Sequence, residues 1–205
     1  MSETLLSSRN LAFELYEVLD AEGLTQRERF AEHNRETFDA AISTARNIAE
    51  KYFAPHNRKN DENEPRYENG AAILIPEVKP AVDAFLEAGF LNAARSFEAG
   101  GMQLPTLLSQ ACFAHFQSAN AASTSYPFLT MGAANLIESF GTEEQKQRFL
   151  QPMIDGRFFG TMALHPGRRI RQLGQHHMHD VFRQRVVAAG STDGRGRKRK
   201  VYRRP

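Results

Sequence analysis

Apolar positions recur at helical spacing along the first four-fifths of the chain, and each run is bounded by a recognisable stop. Leu11, Leu15, Val18 and Leu19, with Phe13 and Tyr16 beside them, mark a short amphipathic helix over 9–19 that Gly23 ends. Thr25-Gln26-Arg27-Glu28 has the capping-box pattern, so a long helix is expected to start there. Its stripe runs through Phe30, Phe38, Ala41, Ile42, Ala45, Ile48, Ala49, Tyr52 and Phe53, and Pro55 closes it. Residues 56–70 are polar and read as a loop with solvated charges, His56 among its surface residues. A helix is expected over Glu77–Ala88, with Gly89 as its C-cap. Gly100-Gly101 reads as a flexible turn, and Pro105 opens a helix over about 105–121. Pro127 is expected to start a further helix that Gly141 ends. Thr142-Glu143-Glu144-Gln145 is a second capping box, opening a short helix through Leu150. Thr161-Met162-Ala163-Leu164 reads as the start of a β-strand. The expected fold is therefore mostly α: a helical bundle of about six helices, a strand beginning near 158–164, and an irregular basic tail.

Charge divides the chain at Leu164. Residues 1–164 hold 14 Lys+Arg against 22 Asp+Glu, whereas residues 165–205 hold 12 against 2. The net charge of +2 is thus an average of an acidic part and a strongly basic one. A single cysteine, Cys112, excludes an intramolecular disulfide and suits a reducing compartment. Its apolar neighbours Ala111 and Phe113 make it a small core residue. No stretch approaches the length of a membrane helix, and the N-terminus lacks a signal-peptide pattern, so a cytoplasmic protein is expected.

Candidate chemistry is sparse. Residues 1–164 carry no Gly-x-Ser-x-Gly elbow, His-Glu-x-x-His, phosphate loop or dinucleotide fingerprint. His33, His56 and His115 lie far apart in sequence, and His115, on the apolar stripe of its helix, reads as a satisfied core or interface histidine. No catalytic or metal-binding residue is assigned. In the tail, His176-His177-Met178-His179 has the residue type of a metal site, and Arg195-Gly196-Arg197-Lys198-Arg199-Lys200 could meet phosphates. Neither comes with a recognition helix or an aromatic platform, so nucleic acid is not the expected partner. A helical binding module that uses its basic tail on nucleic acid or acidic partners is the alternative reading.

Several blocks carry a family resemblance. Gly141-Thr142-Glu143-Glu144-Gln145-Lys146-Gln147-Arg148-Phe149-Leu150, followed by Pro152-Met153 and Gly156, resembles the end of the N-terminal helical domain of acyl-CoA dehydrogenases. Tyr126-Pro127-Phe128-Leu129-Thr130, Glu98-Ala99-Gly100-Gly101-Met102-Gln103-Leu104-Pro105 and Asp83-Ala84-Phe85-Leu86-Glu87-Ala88-Gly89-Phe90 fit the same family in order. The leader, with Leu15-Tyr16 and Val18-Leu19, is similar to that of the larger bacterial-type members. The resemblance covers residues 1–164. It implies an FAD-dependent enzyme of fatty-acid metabolism that dehydrogenates an acyl-CoA thioester between its α and β carbons. A carboxylate base takes the α proton and flavin N5 takes the β hydride. It also implies a helical domain, a β-domain, a second helical bundle and a homo-oligomer. Met162, Ala163 and Leu164 fall at flavin-edge positions of the family pattern.

After Leu164 the pattern departs from the family. The resemblance implies Thr-Glu-Pro followed by Ala-Gly-Ser, but His165-Pro166-Gly167-Arg168-Arg169 stands there. Gly167 to His177 can be encoded so that the frame one nucleotide downstream reads Ala-Gly-Gly-Ser-Ala-Ser-Leu-Ala-Asn-Ile, close to the family's continuation. The expectation is a tail from a shifted reading frame, and a truncated N-terminal part inactive by itself, because the catalytic glutamate and most of the flavin site lie further on in the family. The expected organisation is an N-terminal extension over 1–34, the helical domain over 35–157, the start of a β-domain over 158–164, and the tail over 165–205.

Overall fold

A computed structural model describes residues 6–69 and 71–161. Those residues are mostly helical, as the periodicity predicts. They fall into two compact units, one ending at Phe128 and one beginning at Leu129.

In the first unit the chain opens with α1 (Ser8–Ala12), capped by the Ser7 hydroxyl, and a π-helical turn over Phe13–Val18. Residues 21–30 form 3-10 turns rather than the start of a long helix. Thr25 spends its hydroxyl on the Glu22 carbonyl at 2.8 Å instead of capping. The working capping box is nine residues on: Asn34 accepts from the Thr37 amide at 2.9 Å, and the Thr37 hydroxyl accepts from the Asn34 amide at 3.0 Å. Helix α2 (Arg35–Ile48) starts there.

A π-helical turn, Ala49–Phe53, continues α2, and Pro55, lacking an N–H, ends the regular ladder. The loop expected over 56–70 is instead α3 (Asn57–Glu62) followed by a hairpin of β1 (Arg66–Glu68) and β2 (Ala71–Ile73). The strands pair antiparallel with Glu68 opposite Ala71. Asn69, with φ of +51°, supplies the left-handed residue that such a two-residue connection needs. Helix α4 (Val78–Glu87) ends at Gly89, whose φ of +79° is the left-handed stop expected of it.

Helix α5 (Thr106–Ala119) gives way at Asn120 to α6 (Ala121–Phe140), so the break falls seven residues before Pro127, which lies inside α6. Asn120 is the reason. Its side-chain oxygen accepts from the Ser123 amide at 2.9 Å, satisfying one of the free donors at the helix start. Phenylalanines fill the core between α2, α4 and α5. Phe38, Phe53, Phe85 and Phe116 are fully buried. Phe116 packs edge-on against Phe85 (4.8 Å between centroids), Phe53 (5.1 Å) and Phe90 (5.3 Å).

The N-terminal segment is tied to α2 by polar contacts. The Tyr16 hydroxyl donates to Asp39 at 2.6 Å, Arg35 lies over the Tyr16 ring at 4.2 Å, and Arg46 donates to the Ser8 hydroxyl at 2.7 Å. Burial, and then the hydrogen bond to Asp39, raise the Tyr16 pKa, so it stays a donor.

The second unit comprises the C-terminal part of α6, then α7 (Glu143–Gln145), a π-helical turn (Lys146–Leu150) and α8 (Gln151–Ile154). Thr142 and Gln145 form the capping box expected of them. The helix continues past Leu150 because Pro152 stands in the first turn of α8, where its missing N–H costs nothing. Of the strand expected over 158–164, residues 158–161 are described and are non-helical. Among the described residues no helix is long and apolar enough to cross a membrane.

Candidate functional site

Of the buried hydroxyls on α6, Ser123 in the first unit and Thr130 in the second each tie a distant segment to the helix.

In the first unit Ser123 is fully buried. Its hydroxyl lies 2.8 Å from His56 Nε2 and accepts from Asn60 Nδ2 at 2.9 Å. His56 also hydrogen-bonds the Tyr52 backbone. The consistent tautomer has Nδ1–H on the Tyr52 carbonyl and Nε2 accepting from Ser123. Asn120 completes the group by donating to the Phe53 carbonyl at 3.2 Å. His56 is only 3% exposed, which corrects its expected surface position. The turn over Ala54–His56, which contains Pro55, brings its ring against Ser123 of α6. Burial lowers the His56 pKa, so the imidazole is neutral near pH 7. A Ser–His pair invites comparison with a nucleophile and its base. Ser123 is sealed from solvent, so the pair closes a helix junction rather than attacking a substrate.

A surface cleft of about 290 Å³ lies outside this group, lined by Lys51, Tyr52, Pro55, His56, Lys59, Glu77 and Pro80. Its charges are mutually committed. Lys59 donates to Glu77 at 2.5 Å, and Lys51 stands over the Tyr52 ring at 5.0 Å. The hydrogen bond from Lys59 lowers the Glu77 pKa, which keeps it ionised and unsuited to general acid work near neutral pH.

Cys112 is buried, and burial pushes its thiol up to about 12, so it is the inert core residue expected. His115 is also buried as expected, but not satisfied: its Nε2 has no hydrogen-bond partner. Desolvation lowers its pKa, and nearby Arg46 adds to that. Among the described residues no group of three or more His, Cys, Asp or Glu is placed to hold a metal ion.

In the second unit the buried Thr130 hydroxyl accepts from the Gly160 amide at 3.1 Å. Gly160 has no room for a side chain. An added Cβ would stand 2.7 Å from the Ala133 Cβ and 3.1 Å from the Met153 Cε. Ala133, Ala134, Ile137, Leu150 and Met153 form the surrounding core, with Phe149, Ile154 and Phe158 packed on it. The segment is thus held both by a directed bond and by a steric seat, two residues before Met162. Sequence reasoning assigned Met162, Ala163 and Leu164 to the site, and all three lie outside the described residues. It missed Thr130 and Gly160. The one available signal was the glycine in Phe158-Phe159-Gly160-Thr161, a small residue where a strand approaches other backbone closely.

Comparison with known proteins places residues 35–157 in a family. The family model described as acyl-CoA dehydrogenase, N-terminal domain, matches residues 35–157, more than half of the chain. The chain is 31% identical over 155 residues to 3-methylmercaptopropionyl-CoA dehydrogenase of Ruegeria pomeroyi, covering 76% of this chain and 25% of that protein. It is 29% identical over 149 residues to the broad-specificity linear acyl-CoA dehydrogenase FadE5 of Mycobacterium tuberculosis, covering 72% and 24%. It is also 29% identical over 165 residues to butyryl-CoA dehydrogenase of Syntrophomonas wolfei, covering 78% and 27%. The chain therefore spans about a quarter of the length of these curated relatives. Its fold matches butyryl-CoA dehydrogenase from Megasphaera elsdenii with a TM-score of 0.50 at 20% identity, over 66% of this chain and 34% of that one. A chain from the structural work on the electron transferring flavoprotein of Acidaminococcus fermentans matches with a TM-score of 0.51 at 23% identity, over 66% and 33%.

Proposed function

The chain belongs to the acyl-CoA dehydrogenase family, and on that basis we propose that it supplies the N-terminal helical domain of a cytoplasmic, FAD-dependent enzyme acting on an acyl-CoA thioester. The observation that carries this reading is the seating of Gly160. The Thr130 hydroxyl and the Ala133–Met153 wall fix where the chain leaves the helices. In this reading the next residues, Met162, Ala163 and Leu164, run along the flavin edge, meeting it through backbone and packing. FAD, when bound, would accept the hydride from the β carbon. The residues on this side hold the strand in position and keep water from it, and none of them moves a proton.

The domain limits follow from the same reading. Residues 1–34 are an extension, 35–157 the helical domain, and 158–164 the entry to a β-domain. Residues 165–205 come from a shifted frame, which accounts for the change of charge inside a family motif. On the family pattern the catalytic glutamate and most of the flavin site lie beyond Leu164, so the 205-residue polypeptide by itself is not expected to turn over. The test is direct. Purified chain is mixed with stoichiometric FAD, butyryl-CoA and a dye acceptor. No dye reduction above a protein-free control is expected, and sustained reduction would overturn the proposal. Sequencing the gene across codons 160–180 tests the frame. A shifted frame that encodes no β-domain would sink that part of it.

A further inference from the structure

The hairpin over 66–73 stands apart from the rest of the first unit. All six of its strand residues are exposed, and Tyr67 is 78% exposed. The sheet has two strands among the described residues, so both outer edges are open there. Two strands are too few to be independently stable in water. An open edge is also a template for another strand.

The register shows which backbone groups are free. With two residues between Glu68 and Ala71, that pair is hydrogen-bonded, as is Arg66 with Ile73. The intervening residue, Tyr67, then directs its N–H and C=O away from β2. Its neighbours carry opposite charges on one face, Arg66 and Glu68, which touch within the chain at 3.7 Å while staying largely solvated.

We infer that the β1 edge pairs with the β1 edge of a second copy of this chain about a two-fold axis through Tyr67, making a four-stranded antiparallel sheet. In that register each Tyr67 amide donates to the other copy's Tyr67 carbonyl. Arg66 of each copy falls opposite Glu68 of the other, in non-hydrogen-bonded pairs where side chains lie closest. Opposite charges therefore meet twice, as a self-complementary two-fold contact requires. The charges also select the partner, because a parallel pairing would set Arg66 against Arg66. Pro65, with no N–H, stops the ladder from extending and keeps the contact small. The β2 edge has no such complementarity, since the same operation there sets Ala71 opposite Ile73. This inference does not depend on the proposed enzymatic role.

The test is sedimentation equilibrium of the full 205-residue chain, with a dimer expected at a Kd on the order of 100 µM, as for small transient contacts. Glu68→Arg and Arg66→Glu should each weaken it about tenfold or more, because each puts like charges opposite each other twice. The double variant Arg66→Glu/Glu68→Arg should return to within about threefold of the original, since the swap restores both pairs. All these positions are exposed, so circular dichroism should show the helices unchanged. A monomer throughout, a dimer indifferent to the single reversals, or a double variant as weak as the singles would each overturn the pairing.

Discussion

The two units hold themselves together by different means. The first is built on phenylalanine. Phe38, Phe53, Phe85 and Phe116 are fully buried between three helices and a turn, and Phe53 and Phe85 both meet Phe116 edge-on. The second has a core of two alanines, an isoleucine, a leucine and a methionine. Its specificity comes from one hydroxyl–amide bond and a glycine with no room to spare. Area decides stability in the first, and distance decides position in the second. A glycine whose Cβ would sit 2.7 Å from a neighbour leaves little room for displacement. The pinned unit is the one that delivers the chain to the proposed cofactor side, where position matters more than bulk.

Substitutions can break this contrast at either end. The largest effect should come from Phe116→Ala, which removes the ring that three others pack on. A loss of about 3–5 kcal/mol is expected in denaturant unfolding, and a loss below about 1 kcal/mol would refute the aromatic core as the main source of stability. Next is Gly160→Val, where overpacking against Ala133 and Met153 should cost about 1–3 kcal/mol. A neutral result would show that the seat is looser than its geometry. Ser123→Ala leaves His56 Nε2 without its donor and one Asn60 bond unmade, for about 1–3 kcal/mol. Ser123→Thr, which keeps the hydroxyl, should lose less, and equal losses would argue that size rather than hydrogen bonding matters there.

The smallest effect is on pH. Burial lowers the pKa of both His56 and His115 below the ordinary 6.5. As pH falls below that value the unfolded chain takes up protons that the folded chain refuses. Stability is therefore full above about pH 6.5 and declines below it, by at most ~1.4 kcal/mol per pH unit for each histidine. His115→Leu should flatten part of the decline between pH 7 and 5 in thermal melts. An unchanged slope would mean that His115 does not stay neutral inside.

The sequence revealed helices better than their ends. The apolar stripe of α2 was visible, but the cap read for it was not the one that works. Thr25 fits the capping box by residue type, yet its hydroxyl turns back to the Glu22 carbonyl, and Asn34 does the capping. Pro127 looked like a helix start because proline favours the first turn, whereas Asn120 had already capped the helix. The hairpin was hidden because Arg66 and Glu68 make its first strand read as solvated loop, although Asn69-Gly70 is a strong turn signal. His56 was misplaced for a related reason, since a polar stretch suggests a surface while burial is decided by α6, 67 residues away. Met162, Ala163 and Leu164, which the family blocks pointed to, lie outside the described residues. Thr130 and Gly160 stayed out of sight, because a contact across 30 residues has no local periodicity.

The central claim is that Thr130 pins the chain at Gly160, just before the proposed flavin edge. Amide hydrogen exchange at Gly160 tests it most directly, comparing the natural chain with Thr130→Val. The account predicts a Gly160 amide that exchanges as slowly as the protected amides of α6, and a gain in rate on the order of tenfold or more in Thr130→Val while the helix amides keep theirs. A Gly160 amide that exchanges freely in the natural chain, or at the same rate in both proteins, would contradict it.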